Sequence, residues 1–248
     1  MAPAGIPARF RERPAPTQQQ APLGILLEVQ QQAPGIGTHL ATGQDALAQP
    51  GGQRTKRFQL TPRVMEIGYN YLAADTLVGV ANPFLAELAQ VTGETTNLTG
   101  PDGLDMVYVA RFVAPKFIPI HMPIGSRIPL YCTGSGRAHL SALPAADAGQ
   151  ILEDSERQAH TRHTLTELTD ILREIEASQQ RGYALNAEEL FLGDMSIAAP
   201  ILGSQGLPVA AVHGVVPSSR WTLEEAERKL APAVIECARA IRASIRTL

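Results

Sequence analysis

The sequence contains few cysteines and no long apolar run, and both shortages exclude classes of protein. Its 248 residues include two cysteines, Cys132 and Cys237, which are too few for a disulfide scaffold or a zinc cluster and suit a reducing compartment. No apolar run approaches the roughly 18–20 residues that span a bilayer. The first residues (MAPAGIPARFRERP) lack the apolar core of about 7–15 residues that a secretory signal requires. We therefore expect a soluble, cytoplasmic protein with no membrane partner.

An excess of positive charge is also missing. Lysine and arginine number 21 against 24 aspartates and glutamates, which gives a net charge of −3. Nucleic acids are bound mainly through clustered basic side chains, so this balance excludes a chain-wide surface of that kind while leaving room for a small basic module. Apolar residues make up 44% of the chain, so most of its length can bury a core.

Residues 1–55 differ in composition from the rest of the chain. Alanine, proline, glycine and glutamine fill 32 of these 55 positions, and seven of the residues are prolines. Such a segment has too little apolar periodicity to offset the entropy lost when its backbone is ordered. We predict that residues 1–55 are mostly without regular structure.

A regular pattern begins at residue 56. Residues 58–60 (FQL) are typical of a strand, and Thr61 and Pro62 suit the N-cap and first turn of a helix that runs to about Leu72. Apolar residues then recur at helical spacing and predict a second helix, with Pro83 interpreted as a restart. This stripe consists of Leu77, Val80, Ala81, Phe84, Leu85, Leu88 and Val91.

Strands and turns alternate with further helices. Residues 95–99 and 105–111 flank the turn GPDG, residues 196–202 and 207–216 flank GSQG, and residues 117–121 are predicted as one more strand. The interleaved hairpins and helices, without a strict strand–helix–strand alternation, indicate an α+β fold in which helices pack on an antiparallel sheet.

Three helices are predicted in the second half of the chain. One covers residues 135–142, and one opens at a capping box of Thr164 and Glu167 and ends at Gly182. The last helix opens at a second capping box, formed by Thr222 and Glu225.

No set of residues suggests catalysis or metal binding. Cys132 and His139 lack the third group that a nucleophile–base pair needs, and Ser135 lies in TGSGR rather than in the G-x-S-x-G pattern of a nucleophile elbow. His160 and His163 stand in a polar segment that is typical of solvated side chains. We therefore expect no enzyme, no cofactor and no metal.

One glycine-rich segment is a candidate binding site. Residues 133–136 (TGSG) open a predicted helix, and the free N–H groups and dipole of a helix N-terminus favour an anion. A plain turn followed by an N-cap explains the same pattern, and the spacing leaves both interpretations open.

Five segments together resemble the IclR family of bacterial transcriptional regulators. The first segment, KRFQLTPRVMEIGYNYL, is most similar to the subgroup that governs protocatechuate and β-ketoadipate catabolism. The resemblance extends from about residue 56 to residue 248. The other segments are DMVYVAR, PIGSRIPLYCTGSGRAHLSALP, RGYALNAEELFLGDMSIAAPI and GLPVAAVHGVVPSSRWTLEEAE.

The resemblance implies an effector-binding domain with a GAF-like antiparallel sheet over residues 75–248, preceded by a wing remnant and linker helix over residues 56–74. It further implies a homodimer or homotetramer that binds operator DNA and a small organic acid, aromatic or dicarboxylic. The apolar stripe supplies the candidate dimerisation residues, Leu77, Val80, Phe84 and Leu88.

The family's effector cavity is carried over to six positions of this chain. The resemblance implies that the backbone N–H groups of Gly134 and Ser135 bind the acid together with Ser196. His213 would select the remainder of the ligand and, if protonated, raise its affinity as the pH falls. The six positions are Gly134, Ser135, Asn186, Ser196, His213 and Val215.

The chain departs from the family in residues 1–55. A winged helix-turn-helix is expected there, but the segment carries four arginines, no lysine and three acidic residues. A genuine loss of the module and a shifted reading frame both explain this. Two alternatives to a regulator also stay open: a ligand-binding or dimerisation module without DNA binding, and an enzyme acting on small acids.

Overall fold

The structure is a computed structural model that describes residues 48–50, 58–60, 62–114 and 122–245, the first two ranges by their backbone alone. The predicted strand over residues 117–121 and the segment 1–47 lie outside the described residues. The chain divides into two units, with the division between Asp75 and Thr76.

The unit before Thr76 contains a two-stranded antiparallel ladder and one helix. Strand β1 (Ala48–Pro50) pairs with strand β2 (Phe58–Leu60), so a short strand lies inside the segment expected to be mostly irregular. Helix α1 (Val64–Ala74) begins two residues after Pro62. The delay arises because the amide of Met65 donates to the Pro62 carbonyl in a tight turn that precedes the helix.

The unit after Asp75 is built on one six-stranded antiparallel sheet. Its order is β5-β4-β3-β8-β7-β6, so two three-stranded meanders are joined through the pair β3–β8. This confirms the predicted α+β class with an antiparallel sheet. The strands are β3 (Thr95–Asp102), β4 (Asp105–Phe112), β5 (Arg127–Pro129), β6 (Ala184–Ala187), β7 (Asp194–Leu202) and β8 (Pro208–Pro217).

Helices cover both faces of this sheet. A Cβ added to Gly214 on β8 would contact Leu230 of the last helix, so that helix lies on the face of the sheet to which Gly214 points. A Cβ added to Gly134 would contact Ser196, which projects from the opposite face of the sheet. Helices α2 and α6 pack together on the first face, and α3, backed by α4 and α5, covers the second. The helices are α2 (Thr76–Thr92), α3 (Gly134–Ser141), α4 (Ala145–Asp154), α5 (Leu168–Arg181) and α6 (Leu223–Ile245).

Within the described residues, no single helix has both the length and the apolar composition needed to cross a bilayer. Only α1 and α2 counted together meet those two criteria.

The predicted restart at Pro83 is wrong, because α2 continues through this residue without interruption. A proline removes one helical hydrogen bond, but tertiary packing on both sides offsets that loss, since Ala81 and Leu85 are fully buried. Leu88 is also 0% exposed. Leu88 therefore packs inside this subunit, and its assignment to dimerisation stays a prediction.

The first hairpin turns later than predicted. Gly100 and Pro101 belong to β3 and pair with β4, and the turn consists of Gly103, with a φ of +63°, and Leu104. Strand β8 pairs with β3 only as far as Thr99. Proline therefore fits at position 101, because no ladder on that side requires its missing N–H group.

One capping box is confirmed and the other is wrong. The amide of Glu225 donates to Thr222 Oγ1 at 3.2 Å, and the Thr222 amide donates to Glu225 Oε2 at 3.3 Å. At the other position, α5 begins after Glu167 without a side-chain cap. Thr164 Oγ1 instead accepts the amide of Thr161 and donates to the carbonyl of Glu189, because a loop competes for its hydroxyl.

Replacing Gly136 by alanine is expected to destabilise the protein. A Cβ there would lie 2.2 Å from the Leu130 carbonyl oxygen, and backbone atoms cannot rotate away. Overpacking of this kind costs about 1–3 kcal/mol, which a lower urea midpoint at unchanged slope would report.

The matched control is Gly149→Ala in α4, where a Cβ would meet nothing within 4 Å. Alanine favours a helix over glycine by about 1 kcal/mol, so this variant should equal or exceed the wild type in stability. A Gly136→Ala protein as stable as the Gly149→Ala protein would contradict the close approach of Gly136 to the Leu130 backbone.

Candidate ligand-binding site

A pocket opens on the face of the sheet that α3 covers. It contains about 330 Å³ of space when its open mouth is included. All six predicted binding positions line it, namely Gly134, Ser135, Asn186, Ser196, His213 and Val215. The lining residues that the sequence analysis missed are Tyr108, Ile128, Thr133, Leu190, Phe191 and Asp194.

The strand register explains why the predicted strand residues meet. Ser196 lies directly opposite Val215 on β8 and opposite Asn186 on β6. Side chains of directly opposed residues project from the same face of a sheet, and His213 shares that face because it is two residues from Val215.

The N-terminus of α3 presents free amides to the pocket. Thr133 caps the helix: its Oγ1 accepts the amide of Gly136 at 3.2 Å and donates to the carbonyl of Pro129 at 2.7 Å. Within the described chain, the amides of Gly134 and Ser135 have no hydrogen-bond acceptor. These amides carry the positive end of the helix dipole, which favours an anion.

Glycine at position 134 brings this helix start against β7. An added Cβ would lie 2.6 Å from Ser196 Oγ and 3.6 Å from the Ala198 Cβ. The absence of a side chain therefore lets the free amides and the Ser196 hydroxyl share one end of the pocket.

All eight residues of the polar helix α3 are buried. A buried ion pair holds this helix in place. Arg137 donates to both carboxylate oxygens of Glu189, at 2.5 and 2.6 Å, and its Nε donates to the Tyr131 carbonyl at 3.1 Å. Glu189 Oε2 also accepts the amide of Leu165 at 3.1 Å. Because Glu189 lies between β6 and β7, this pair ties α3 to the loop that forms another pocket wall.

That loop, residues 188–193, is shaped by its own backbone contacts. Glu188 adopts a φ of +61°, which is rare for a residue with a side chain. Its carboxylate accepts the amide of Gly193 at 3.1 Å, and this hydrogen bond holds the pKa of Glu188 below its usual value. The loop thereby places Leu190 and Phe191 against the pocket.

Asn186 connects β6 to the segment before α3. Its Nδ2 donates to the carbonyl of Cys132 at 2.7 Å. This contact leaves the side-chain oxygen and the second N–H of Nδ2 as the groups that Asn186 can offer to a ligand.

His213 is uncharged in the ligand-free protein, whereas the pH-dependent affinity expected of it concerns the complex with an acid and stays a prediction. Burial lowers the pKa of His213 to about 3, and the positive charge of Arg111 adds to the effect. The imidazole is therefore neutral at physiological pH. It meets the Tyr108 ring edge-on, with 5.5 Å between the ring centroids and an angle of 78°.

Several buried polar atoms at the pocket have no partner among the described residues. They include Ser135 Oγ and His213 Nδ1, as well as both side-chain polar atoms of Asn97, which lies opposite His213 on β3. An unsatisfied buried group costs about 1–3 kcal/mol. Such a concentration of unpartnered atoms indicates a site for a polar ligand or for water.

Asp194 is the ionisable carboxyl of this pocket. It is only partly buried, yet burial raises its pKa to about 7, against the opposing effect of Arg111. Asp194 in turn contributes to the raised pKa of Tyr108. Sequence reasoning could have found it, because Asp194 stands two residues before Ser196 and so shares its face of the strand.

Cys132 and His139 do not form a reactive pair. Burial raises the pKa of the Cys132 thiol to about 12 and lowers the pKa of His139 to about 4. Both groups are therefore neutral at physiological pH, whereas a thiol nucleophile requires the thiolate.

An antiparallel sheet that holds such a pocket defines a ligand-binding sensor domain. Residues 69–243 match the family described as bacterial transcriptional regulator IclR, C-terminal. The chain belongs to this family, as its sequence segments predicted. Its curated relatives are transcriptional regulators and not enzymes, which confirms the non-enzyme prediction.

Two curated relatives show the extent of the similarity. SauR of Cupriavidus necator, a probable transcriptional regulator, is 29% identical over 170 residues, which are 68% of each protein. The Pca regulon regulatory protein of Pseudomonas putida is 28% identical over 185 residues, 74% of this chain and 64% of that protein.

Solved structures share the fold. RHA06195 of Rhodococcus sp. RHA1, assigned as a transcriptional regulator, superposes with a TM-score of 0.74 at 34% identity, covering 84% of this chain and 82% of that one. The inducer-binding domain of the Acinetobacter transcription factor PobR, a double mutant in complex with 3-hydroxybenzoic acid, has a TM-score of 0.61 at 29% identity. That superposition covers 66% of this chain and 96% of the PobR chain.

Breaking the buried ion pair is expected to cost much of the stability. Arg137→Met leaves the Glu189 carboxylate buried without its cation, a change that typically costs about 3–5 kcal/mol. Urea unfolding should show this loss, and a compensating apolar substitution at Glu189 should restore part of it.

The control for this prediction is the exposed pair between Arg173 and Asp170, which are 3.0 Å apart on the surface of α5. Arg173→Met should change stability by less than about 1 kcal/mol. Equal losses of stability in the two arginine variants would show that the buried pair contributes no more to stability than the exposed pair.

The stability of the protein should depend on pH through Asp194. Its pKa is about 7 in the folded chain against an ordinary value of 3.8, so between these values the folded state holds a proton that the unfolded state releases. Stability therefore falls as the pH rises from about 4 to about 7. Asp194→Asn removes this contribution, and the variant should gain stability over the wild type between pH 5 and pH 8.

Urea midpoints of both proteins across this pH range test the prediction, and their difference cancels the contribution of other groups. Asp170→Asn, on the surface, is the control and should keep a constant difference from the wild type. A constant difference for Asp194→Asn as well would contradict the raised pKa.

Proposed function

We propose that residues 75–248 sense a small organic acid for an IclR-type transcriptional regulator. The observation that carries this proposal is the α3 N-terminus, where the unpartnered amides of Gly134 and Ser135 lie beside the Ser196 hydroxyl. An acid group is the ligand that these three donors suit, because all of them donate hydrogen bonds and the helix dipole adds positive potential.

The other polar groups of the pocket select the part of the ligand that lies beyond its acid group. The acid group accepts from the two amides and from Ser196, and the neutral imidazole of His213 offers its unpartnered Nδ1 to a polar substituent. The pocket space of about 330 Å³ includes its open mouth, so the enclosed part suits only a compact ligand.

Two relatives support an aromatic or dicarboxylic acid as the effector. The Pca regulon regulatory protein is 28% identical to this chain, and the PobR domain was solved with 3-hydroxybenzoic acid. The similarity of the linker segment to the protocatechuate and β-ketoadipate subgroup belongs to the same proposal.

Assembly is part of the proposal. The side chains of Leu77, Val80 and Phe84 on α2 are half-buried within one subunit, so each retains apolar surface for a homodimer or homotetramer. Binding of operator DNA in the cytoplasm is proposed from the family alone. Residues 1–55 carry a charge of only +1 and do not add support to it. A sensor module without DNA binding is therefore the second candidate.

Saturable binding of an organic acid tests the proposal. In thermal-shift and calorimetric titrations, one acid from an aromatic and aliphatic set should stabilise the protein, by about 2.7 kcal/mol at a concentration 100-fold above its Kd. His213→Ala should lower the affinity for that acid by roughly tenfold or more, as expected for one lost buried hydrogen bond.

His163→Ala is the matched control, because His163 is exposed and does not line the pocket. Turnover of the acid would favour an enzyme, and no response to any acid would favour an interaction module. Equal affinities of His213→Ala and wild type would remove His213 from the site.

A further inference from the structure

We infer that Asp194 makes this pocket select a monocarboxylic acid with a neutral hydroxyl substituent and reject the matching dicarboxylic acid. The inference rests on the proposed acid-binding function and decides between the two effector classes that it leaves open.

The pocket has two chemically different ends. Gly134 approaches β7 at Ser196 and Ala198, so the free amides lie on that side of the strand. Asp194 lies two residues from Ser196 in the other direction. At about 3.3 Å per residue, Asp194 is roughly 7 Å along the strand from the Ser196 hydroxyl. An acid group held by the amides therefore directs the far end of its molecule towards Asp194.

No basic side chain lines this far end of the pocket to balance a second carboxylate. Among the described residues that line the pocket, Asp194 is the sole acidic residue, and neither lysine nor arginine is present. Arg111 lies outside this lining, although it is on the same face of the sheet as His213 and its positive charge acts on Asp194. Its guanidinium donates to the Met122 carbonyl at 2.7 Å and lies 5.9 Å from the centre of the Tyr108 ring.

A second carboxylate in this position would meet the partly buried Asp194 carboxyl. Two carboxylates that share a site cannot both ionise without a large cost, so the dicarboxylic acid has to bind together with a proton. A hydroxyl group has no such cost, since it donates to an ionised Asp194 and accepts from a protonated one.

This discrimination depends on pH. The groups that face Asp194 electrostatically are Arg111 and Tyr108 on β4, and His213 on β8 is neutral above pH 4. Asp194 is therefore the group that changes charge near neutrality, with a pKa raised by burial to about 7. The dicarboxylic acid is rejected most strongly above that pH, and its affinity recovers below it.

Titration calorimetry with two pairs of acids of matched shape tests the inference. The probes are 4-hydroxybenzoate against terephthalate, and 4-hydroxybutyrate against succinate. For at least one pair, the hydroxy acid should bind wild-type protein at least tenfold more tightly than its partner at pH 8, and this ratio should fall at pH 6. In Asp194→Asn, which removes the charge but keeps the shape, the ratio should fall below threefold at both pH values.

Asp170→Asn serves as the control because it removes one negative charge from the surface of α5, and it should keep the wild-type ratio. The inference would be overturned if, in both pairs, the dicarboxylic acid bound wild type at pH 8 as tightly as its hydroxy partner, or if the ratio survived Asp194→Asn. In either case acid binding itself, and with it the proposed function, would stand. Failure of all four acids to bind would count against both.

Discussion

The buried pair between Arg137 and Glu189 is the contact on which the pocket depends. Helix α3 is short, and four of its eight residues carry polar side chains. Two hydrogen bonds to one carboxylate and a third to the Tyr131 carbonyl hold it over the sheet. Glu189 at the same time accepts an amide from the loop before α5. A single carboxylate therefore positions α3 and the loop that faces it.

Burial then acts in opposite directions on the two titratable groups of the pocket. Removing a group from water disfavours its charged form, so the pKa of His213 falls to about 3 and that of Asp194 rises to about 7. The positive charge of Arg111 lowers both values, reinforcing burial at His213 and opposing it at Asp194. The result is a pocket in which His213 is neutral at physiological pH and Asp194 changes its charge near pH 7.

The sequence predicted those parts of the structure that depend on local chemistry. The capping box at Thr222 was recognisable because both of its partners are within one turn. Family resemblance brought six residues to one pocket. Prediction failed where distant groups compete: Thr164 bonds to a loop remote in sequence, and Pro83 is tolerated because buried neighbours hold α2 together. The His213 charge state also depends on burial and on Arg111, neither of which a linear pattern contains.

The same anchoring limits how an acid can act on the rest of the protein. A ligand shifts a conformational equilibrium only by its unequal affinity for the two states. Arg137 and Glu189 join α3 to the loop 188–193 through two hydrogen bonds, so the proposed acid would meet these two elements together. If the acid binds as proposed, it would also join the α3 amides to Ser196 on β7. Its affinity would then be lower in any state in which Gly134 lies farther from that strand, because the donors that the acid needs together would be separated.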